Sequence, residues 1–258
     1  ENHDESLYRE YLLEKRKEET FGKKETPEIM ETEISEKFTK KLIIERLDFC
    51  ERLDRLPANH PIVKYVENRA IPKAAYKRLW FTSQWQEMVN KNKPTFDNPK
   101  KECRLVIPIY NREGKIESYQ GRALSSAARQ KYMTIKAHED ASKIYGVDTV
   151  DESKQWVYVM EGPIDSLFIP NAIAITGGSL DLDSVPYKDK RVWVLDNENR
   201  HTDTIKRMNK LIASGERVCF WDEAPWKSKD INDMIAKEGA NPKDIEDYII
   251  HNWATGLM

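Results

Sequence analysis

Three short apolar runs between residues 156 and 221 each lead to a group of acidic residues, and that arrangement constrains the fold more than any other feature of the chain. Trp156-Val157-Tyr158-Val159-Met160 is β-branched, aromatic and unbroken, the composition of a buried parallel strand. It runs directly into Glu161-Gly162-Pro163-Ile164-Asp165. Arg191-Val192-Trp193-Val194-Leu195 ends at Asp196-Asn197-Glu198, and Val218-Cys219-Phe220-Trp221 leads through a loop to Lys229-Asp230-Ile231-Asn232-Asp233. Such strands predict an α/β sheet with its acids gathered outside the strands' carboxyl ends, where open sheets bind ligands. Clustered carboxylates repel one another unless a cation lies among them. Carboxylate and amide oxygens are the ligands that hard divalent cations prefer. Each acid taken alone can equally be the cap of the helix that follows it.

Around this core the element order predicted from residue 154 to 258 is strand, helix, strand, strand, helix, strand, helix. Ala172 to Thr176 is the second strand, and Gly177-Gly178 beyond it permits a tight turn or the close approach of a phosphate. Thr202 to Ser214 reads as an amphipathic helix with Ile205, Met208, Leu211 and Ile212 inward and Gly215 at its end. Asp230 or a neighbour opens another helix, and Asn241-Pro242 caps a last one that runs to about Trp253. Upstream, residues 42–153 are expected to form a first domain. It has a helix at His60 to Arg69 with Pro61 in its first position, a helical stretch at Lys73 to Leu79, and Trp80, Phe81 and Trp85 as core aromatics. Arg104 to Tyr110, the turn Asn111-Arg112-Glu113-Gly114 and the return from Lys115 to Ala123 read as a hairpin. Residues 1–41 are expected to be a charged helix, capped by Ser6 and striped with Leu7, Tyr8, Tyr11 and Leu12, followed by a Lys- and Glu-rich linker.

The net charge of −2 over 258 residues means that any nucleic-acid site is a local patch. Basic residues gather around the hairpin, where Arg104, Arg112, Lys115, Arg122, Arg129, Lys131, Lys136 and Lys143 face only Glu113, Glu117, Glu139 and Asp140. A charge run can be a solvated face. Here Gln120-Gly121-Arg122 and Gln130-Lys131-Tyr132 add a glycine for close approach, cations for phosphate and a ring for stacking. Cys50, Cys103 and Cys219 have no zinc-knuckle spacing, and no zinc is expected. No apolar run approaches membrane-spanning length, and the start shows no signal-peptide pattern, so a soluble, intracellular chain is expected. It opens at Glu1 rather than methionine, and features upstream of that residue are expected to be missing.

Glu161-Gly-Pro-Ile-Asp165, Asp196-Asn-Glu198 and Lys229-Asp230-Ile-Asn232-Asp233 resemble the motifs of the Toprim domain, shared by bacterial-type primases, type IA and II topoisomerases and some nucleases. His60 to Arg69, Arg104 to Ile109, Gln120-Gly121-Arg122, Gln130-Lys131-Tyr132 and Lys143-Ile144-Tyr145-Gly146 resemble the successive motifs of the primase RNA-polymerase domain, in the form found in T4-type bacteriophages. The pattern departs from that family at Glu198, which stands for a second Asp, and at Asp230-Ile231-Asn232, which stands for Asp-Pro-Asp.

The resemblance implies an α+β subdomain followed by a Toprim domain, a mostly parallel sheet flanked by helices. It implies primer synthesis with Mg2+ or Mn2+. Asp196, Glu198 and Asp230, with Asn232, would hold the metal, and Glu161 would be a ligand or general base. Asp165 and Gly162 would support the site. Arg104, Arg122, Lys131, Lys143 and Lys229 would hold template or nucleotide. The implied partners are a single-stranded DNA template, ribonucleoside triphosphates, the RNA primer and a hexameric replicative helicase, in the cytoplasm of an infected host cell. The family's amino-terminal zinc-binding domain is not among these residues. A Toprim-type nuclease and a non-catalytic adaptor for helicase or template are the alternative readings.

Overall fold

The computed structural model describes residues 44, 46–125, 128–177, 182–198 and 200–256. The helix and linker expected over residues 1–41, and Gly178, lie outside them. The chain divides between Lys41 and Leu42, and every described residue belongs to the second part.

Strands β1 (Glu51–Arg52), β2 (Trp80–Thr82), β3 (Arg104–Tyr110), β4 (Ile116–Ala123) and β5 (Tyr132–Lys136) form the first sheet in that order, antiparallel throughout. β3 and β4 are the expected hairpin. Asn111 sets its turn: the side-chain oxygen accepts from the amides of Glu113 at 3.1 Å and Lys115 at 2.9 Å, with Gly114 in the left-handed region at φ 75°. Side chains alternate across the sheet. Leu105, Ile107 and Ile109 enter a core shared with the second sheet, while Val106 and Tyr119 pack on the other face with Trp85, Met88 and Val89.

Helix α1 (Pro61–Asn68) starts where expected, because Pro61 needs no amide partner in the first turn and His60 Nδ1 accepts from the Ile62 amide at 3.2 Å. Lys73–Arg78 is a 3₁₀ segment. Helix α2 (Trp85–Asn92) buries Trp85, Met88 and Val89.

Gly121 and Arg104 have roles that the sequence did not suggest. A Cβ built on Gly121 would lie 2.4 Å from the Trp85 ring, so the glycine makes room for a buried indole rather than for a phosphate. Gly121→Ala is therefore expected to destabilise the fold by about 1–3 kcal/mol through overpacking; a denaturant midpoint equal to that of the parent would refute this. Arg104, expected at the nucleic-acid surface, is only 2% exposed. Its guanidinium donates to Gly121 O at 2.7 Å, Gln130 O at 2.9 Å and Glu102 Oε1 at 2.8 Å, and stacks over Trp85. With its donors used inside the first sheet, Arg104 is removed from the binding set.

The second sheet has the order β11-β10-β9-β7-β8-β6. Its members are β6 (Ile144–Tyr145), β7 (Val157–Met160), β8 (Ala172–Ile175), β9 (Arg191–Val194), β10 (Arg217–Cys219) and β11 (Trp253–Ala254). The four central strands are parallel and both edges antiparallel, the mostly parallel sheet that was expected. Every residue of β7 and β9 is buried, because apolar clusters cover both faces. Two short edge strands lie outside the expected element order. β6 lies upstream of the division expected between residues 153 and 154 yet pairs with β8, and β11 occupies the residues expected to end the last helix.

Helix α3 (Pro163–Ser166) follows β7 and α4 (Thr202–Ala213) follows β9. α5 (Ile231–Glu238) and α6 (Pro242–His251) come after β10, capped by Asp230 and Asn241 respectively. On α4, Leu211 is buried and Met208 and Ile212 pack against the core, but Ile205 is 39% exposed and Thr204 is buried instead. No helix among the described residues is long and apolar enough to cross a membrane.

Candidate active site

The strand order explains where the site lies. From β7 the chain passes to β8 on one side, whereas β9, on the other side of β7, leads away to β10. The carboxyl ends of β7 and β9 therefore flank a topological switch point, where a crevice opens. Glu161 directly follows β7, and Asp196 lies just beyond β9. The Asp196 amide donates to Glu161 Oε2 at 3.3 Å, tying the two strand ends together. A cleft of about 920 Å³ opens there.

The acids of its floor are Glu161, Asp165, Asp196 and Asp230, with Glu198 bound to the same lysine as Asp196. Burial, and then the charge of Asp230, push the Asp165 carboxyl up to about 7. Burial pushes Asp196 up to about 6, against the lowering effect of Lys229 and with the help of Asp230. Each acid has a defined neighbour. Glu161 is ion-paired with Arg207 of α4. Lys229 Nζ lies 3.4 Å from Asp196 and 3.0 Å from Glu198, and Glu198 holds its pKa above the ordinary value. Asp165 accepts from the Asn232 amide at 3.0 Å, and a Cβ on Gly162 would lie 3.2 Å from the other Asp165 oxygen. Asp230 accepts from the Asp233 amide at 2.7 Å, so one of its oxygens does serve as a helix cap.

Arg69, Arg122, Lys131 and Lys143 bring positive charge to the same cleft. Arg122 is only 6% exposed, donates to Tyr65 Oη at 2.7 Å, is bonded to Tyr132 Oη and lies over the Tyr132 ring. Burial, and also Arg69, push its pKa down. Lys131 is exposed, Lys143 is half-buried, and the 43%-exposed Tyr132 ring stands beside them.

One expected ligand is engaged elsewhere. The Asn232 side chain is buried against Arg69, taking a bond from its guanidinium and giving one to its carbonyl. Its oxygen is turned to a cation of the chain, which removes Asn232 from the metal set in this arrangement. Among the described residues no group of three or more His, Cys, Asp or Glu side chains is disposed to hold a metal ion as it stands. The donor chemistry nonetheless fits a hard cation: Glu161, Asp196, Glu198 and Asp230 supply only carboxylate oxygens, and burial with mutual repulsion favours a positive neighbour.

Three contributors were not singled out from sequence. Arg69 lines the cleft, Arg207 meets Glu161, and Asn197 positions the Lys229 loop by donating from its side chain to Trp226 O at 3.3 Å and Ser228 O at 3.2 Å. Arg207 was detectable as part of Lys206, Arg207 and Lys210, a basic group at helical spacing.

No protein-family model matches the chain. Over 253 residues it is 58% identical to the DNA primase of Enterobacteria phage T4, covering 98% of the chain and 72% of that protein. The chain belongs to the DNA primases. Its activity is that of a primase catalytic core, a nucleotidyltransferase that makes RNA primers. Solved structures share the fold. The zinc-binding and RNA-polymerase domains of the Aquifex aeolicus primase match with a TM-score of 0.57 and 21% identity, over 75% of this chain and 56% of that one. A DnaG primase catalytic domain bound to single-stranded DNA matches with a TM-score of 0.59 and 17% identity, over 79% and 75%.

Proposed function

We propose that this cleft joins ribonucleotides on a single-stranded DNA template, with Mg2+ or Mn2+ held by Glu161, Asp196, Glu198 and Asp230. The observation that supports the reading is that acids from the ends of β7 and β9 and the start of α5 share one cleft with Arg69, Arg122, Lys131 and Lys143. A nucleoside triphosphate needs both. The cation, when bound, neutralises the triphosphate and stabilises charge on the departing pyrophosphate.

The chain's own groups do the rest by placement. Lys131 and Lys143 bind phosphates as mobile point charges. Arg122, buried and held by Tyr65, fixes the Tyr132 hydroxyl, and the half-exposed ring, with Arg122 and Lys131 over it, offers an edge against which a base can stack. Attack of a primer 3′-hydroxyl on the α-phosphorus forms one P–O bond and breaks another, releasing pyrophosphate. Glu161 serves as ligand or takes the hydroxyl proton. The template reading has support from the related catalytic domain solved with single-stranded DNA. A hexameric replicative helicase, in the cytoplasm of an infected cell, completes the proposed setting.

Primer synthesis from labelled ribonucleotides on single-stranded DNA with magnesium tests the reaction; no RNA product, alone or with helicase, would overturn it. Lys131→Ala and Lys143→Ala should each weaken single-strand binding and reduce the log–log salt slope by about 0.7 per lost phosphate contact. Unchanged slopes would leave these lysines as solvated surface.

A further inference from the structure

Helix α4 brings further cations to the cleft, to which the reaction above assigns no task. Lys206, Arg207 and Lys210 all line the cleft, and their spacing of three and four residues places Lys210 beside both of the others on the helix surface. Among them, Arg207 is ion-paired with an acid of the site, Glu161. The arginine side chain is 49% exposed and the Glu161 side chain 19%, so the pair is held on the glutamate side and loose on the arginine side. Lys229 stands in the same relation to Asp196 and Glu198. Three of the site's carboxylates, Glu161, Asp196 and Glu198, are thus paired with two cations on flexible stems.

A guanidinium held against the Glu161 carboxylate and a divalent cation bound to that same carboxylate would stand close enough to repel each other, so the two compete for Glu161. A triphosphate entering with its cation supplies what Arg207 would lose, because phosphate oxygens match the guanidinium fork as well as a carboxylate does. We propose that Arg207 is a triphosphate-binding residue with two alternative partners: Glu161, as seen here, and the phosphates of the incoming nucleotide once a divalent cation takes Glu161. Lys206 and Lys210 extend the same phosphate-facing row. Cation and nucleotide then favour each other's binding, since the arginine displaced by one is received by the other. The inference rests on the reading of Glu161 and Asp196 as cation ligands.

The test measures Mn2+ binding without nucleotide, by the electron-spin signal of the free ion. The proteins compared are the parental chain, Arg207→Gln, Arg207→Lys, Glu161→Gln and Asp196→Asn. Arg207→Gln should bind Mn2+ about threefold more tightly, the modest gain expected on removing a half-exposed ion-pair competitor. Its KM for ribonucleotides should rise about tenfold for the lost charge-assisted bond, with Arg207→Lys falling between it and the parent. Glu161→Gln and Asp196→Asn should weaken Mn2+ binding. If these two weaken it while Arg207→Gln leaves it unchanged, the competition is wrong and the acid site stands. Tighter Mn2+ binding by Arg207→Gln with an unaltered KM refutes the transfer to phosphate. Unchanged Mn2+ affinity in both acid variants removes the cation site itself and this proposal with it.

Discussion

Asp196→Asn should lower the rate of primer synthesis by about 10²–10³, the scale seen when one preorganised electrostatic group is removed from an active site. Asparagine keeps the size of the side chain and one oxygen donor but loses the charge that a hard cation requires. The fold should survive, because the contact that ties the end of β9 to the end of β7 uses the Asp196 backbone amide, and Lys229 keeps Glu198 as a partner. Burial, and then the charges of Asp230 and Glu198, push the Asp196 pKa up against Lys229, so neutralising Asp196 relieves desolvation and repulsion, and the melting temperature without metal should hold or rise. Magnesium should stabilise the parental protein by linkage and the variant less. Glu161→Gln should behave alike in catalysis. Primer yield together with melting curves taken with and without magnesium decides the matter; near-parental yield from a folded Asp196→Asn protein would show that the acids at these strand ends are not the catalytic set.

Glu216→Ala should cost about 3–5 kcal/mol of stability, the usual consequence of leaving a buried charge without its partner. Arg191 is 1% exposed and Glu216 4%. The glutamate accepts from Arg191 Nε at 2.7 Å and from Trp193 Nε1 at 2.8 Å, with a further bond from the second arm of the guanidinium. Burial works to raise the Glu216 pKa, but the bonds from Arg191 and Trp193 outweigh it and hold it below its ordinary value. A depressed carboxylate contributes stability that is present above its unfolded pKa and lost as pH falls through the folded one. The parental protein should therefore weaken in acid below about pH 4.3, the unfolded glutamate value, and Glu216→Ala should show a flatter profile there. At roughly 2–4 °C per kcal/mol for a chain of this size, the melting temperature should drop by about 6–20 °C. Arg191→Met combined with Glu216→Gln should recover much of the loss, because no charge is then buried and Gln still accepts from Trp193. A single-variant loss under about 1 kcal/mol would show that water reaches the pair.

Features that depend on neighbours along the chain could be read from the residues alone. β7 and β9 are unbroken apolar runs because both faces of a central parallel strand are covered, so their length and their acidic ends could be read directly. The Asn111 turn, the Pro61 start of α1 and the caps at Asp230 and Asn241 follow from single side chains bonding their own backbone within a few residues. Family motifs marked Glu161, Asp196 and Asp230, and the structure brings all three to one cleft.

Relations between residues far apart in the chain emerge only once the sheets are assembled. Arg104 and Arg122 sit in adjacent strands of one hairpin and look alike as charges, yet Trp85, Gly121 and Gln130 enclose the first while the second lines the cleft. Gly121 looked like a place for a phosphate, and its true constraint is an indole from a helix 36 residues upstream. Asn232 had the right chemistry for a metal ligand, but Arg69 takes its side chain from 163 residues away. β6 and β11 are two-residue edge strands, too short to carry a periodic pattern, and exist only because β8 and β10 offer them free edges. The pairing of Glu161 with Arg207 likewise depends on how α4 crosses from β9 to β10. Periodicity states that a strand or helix has two faces; which of them meets the core, the cleft or another charge is set by the order in which the strands assemble, and that order is a property of the whole fold.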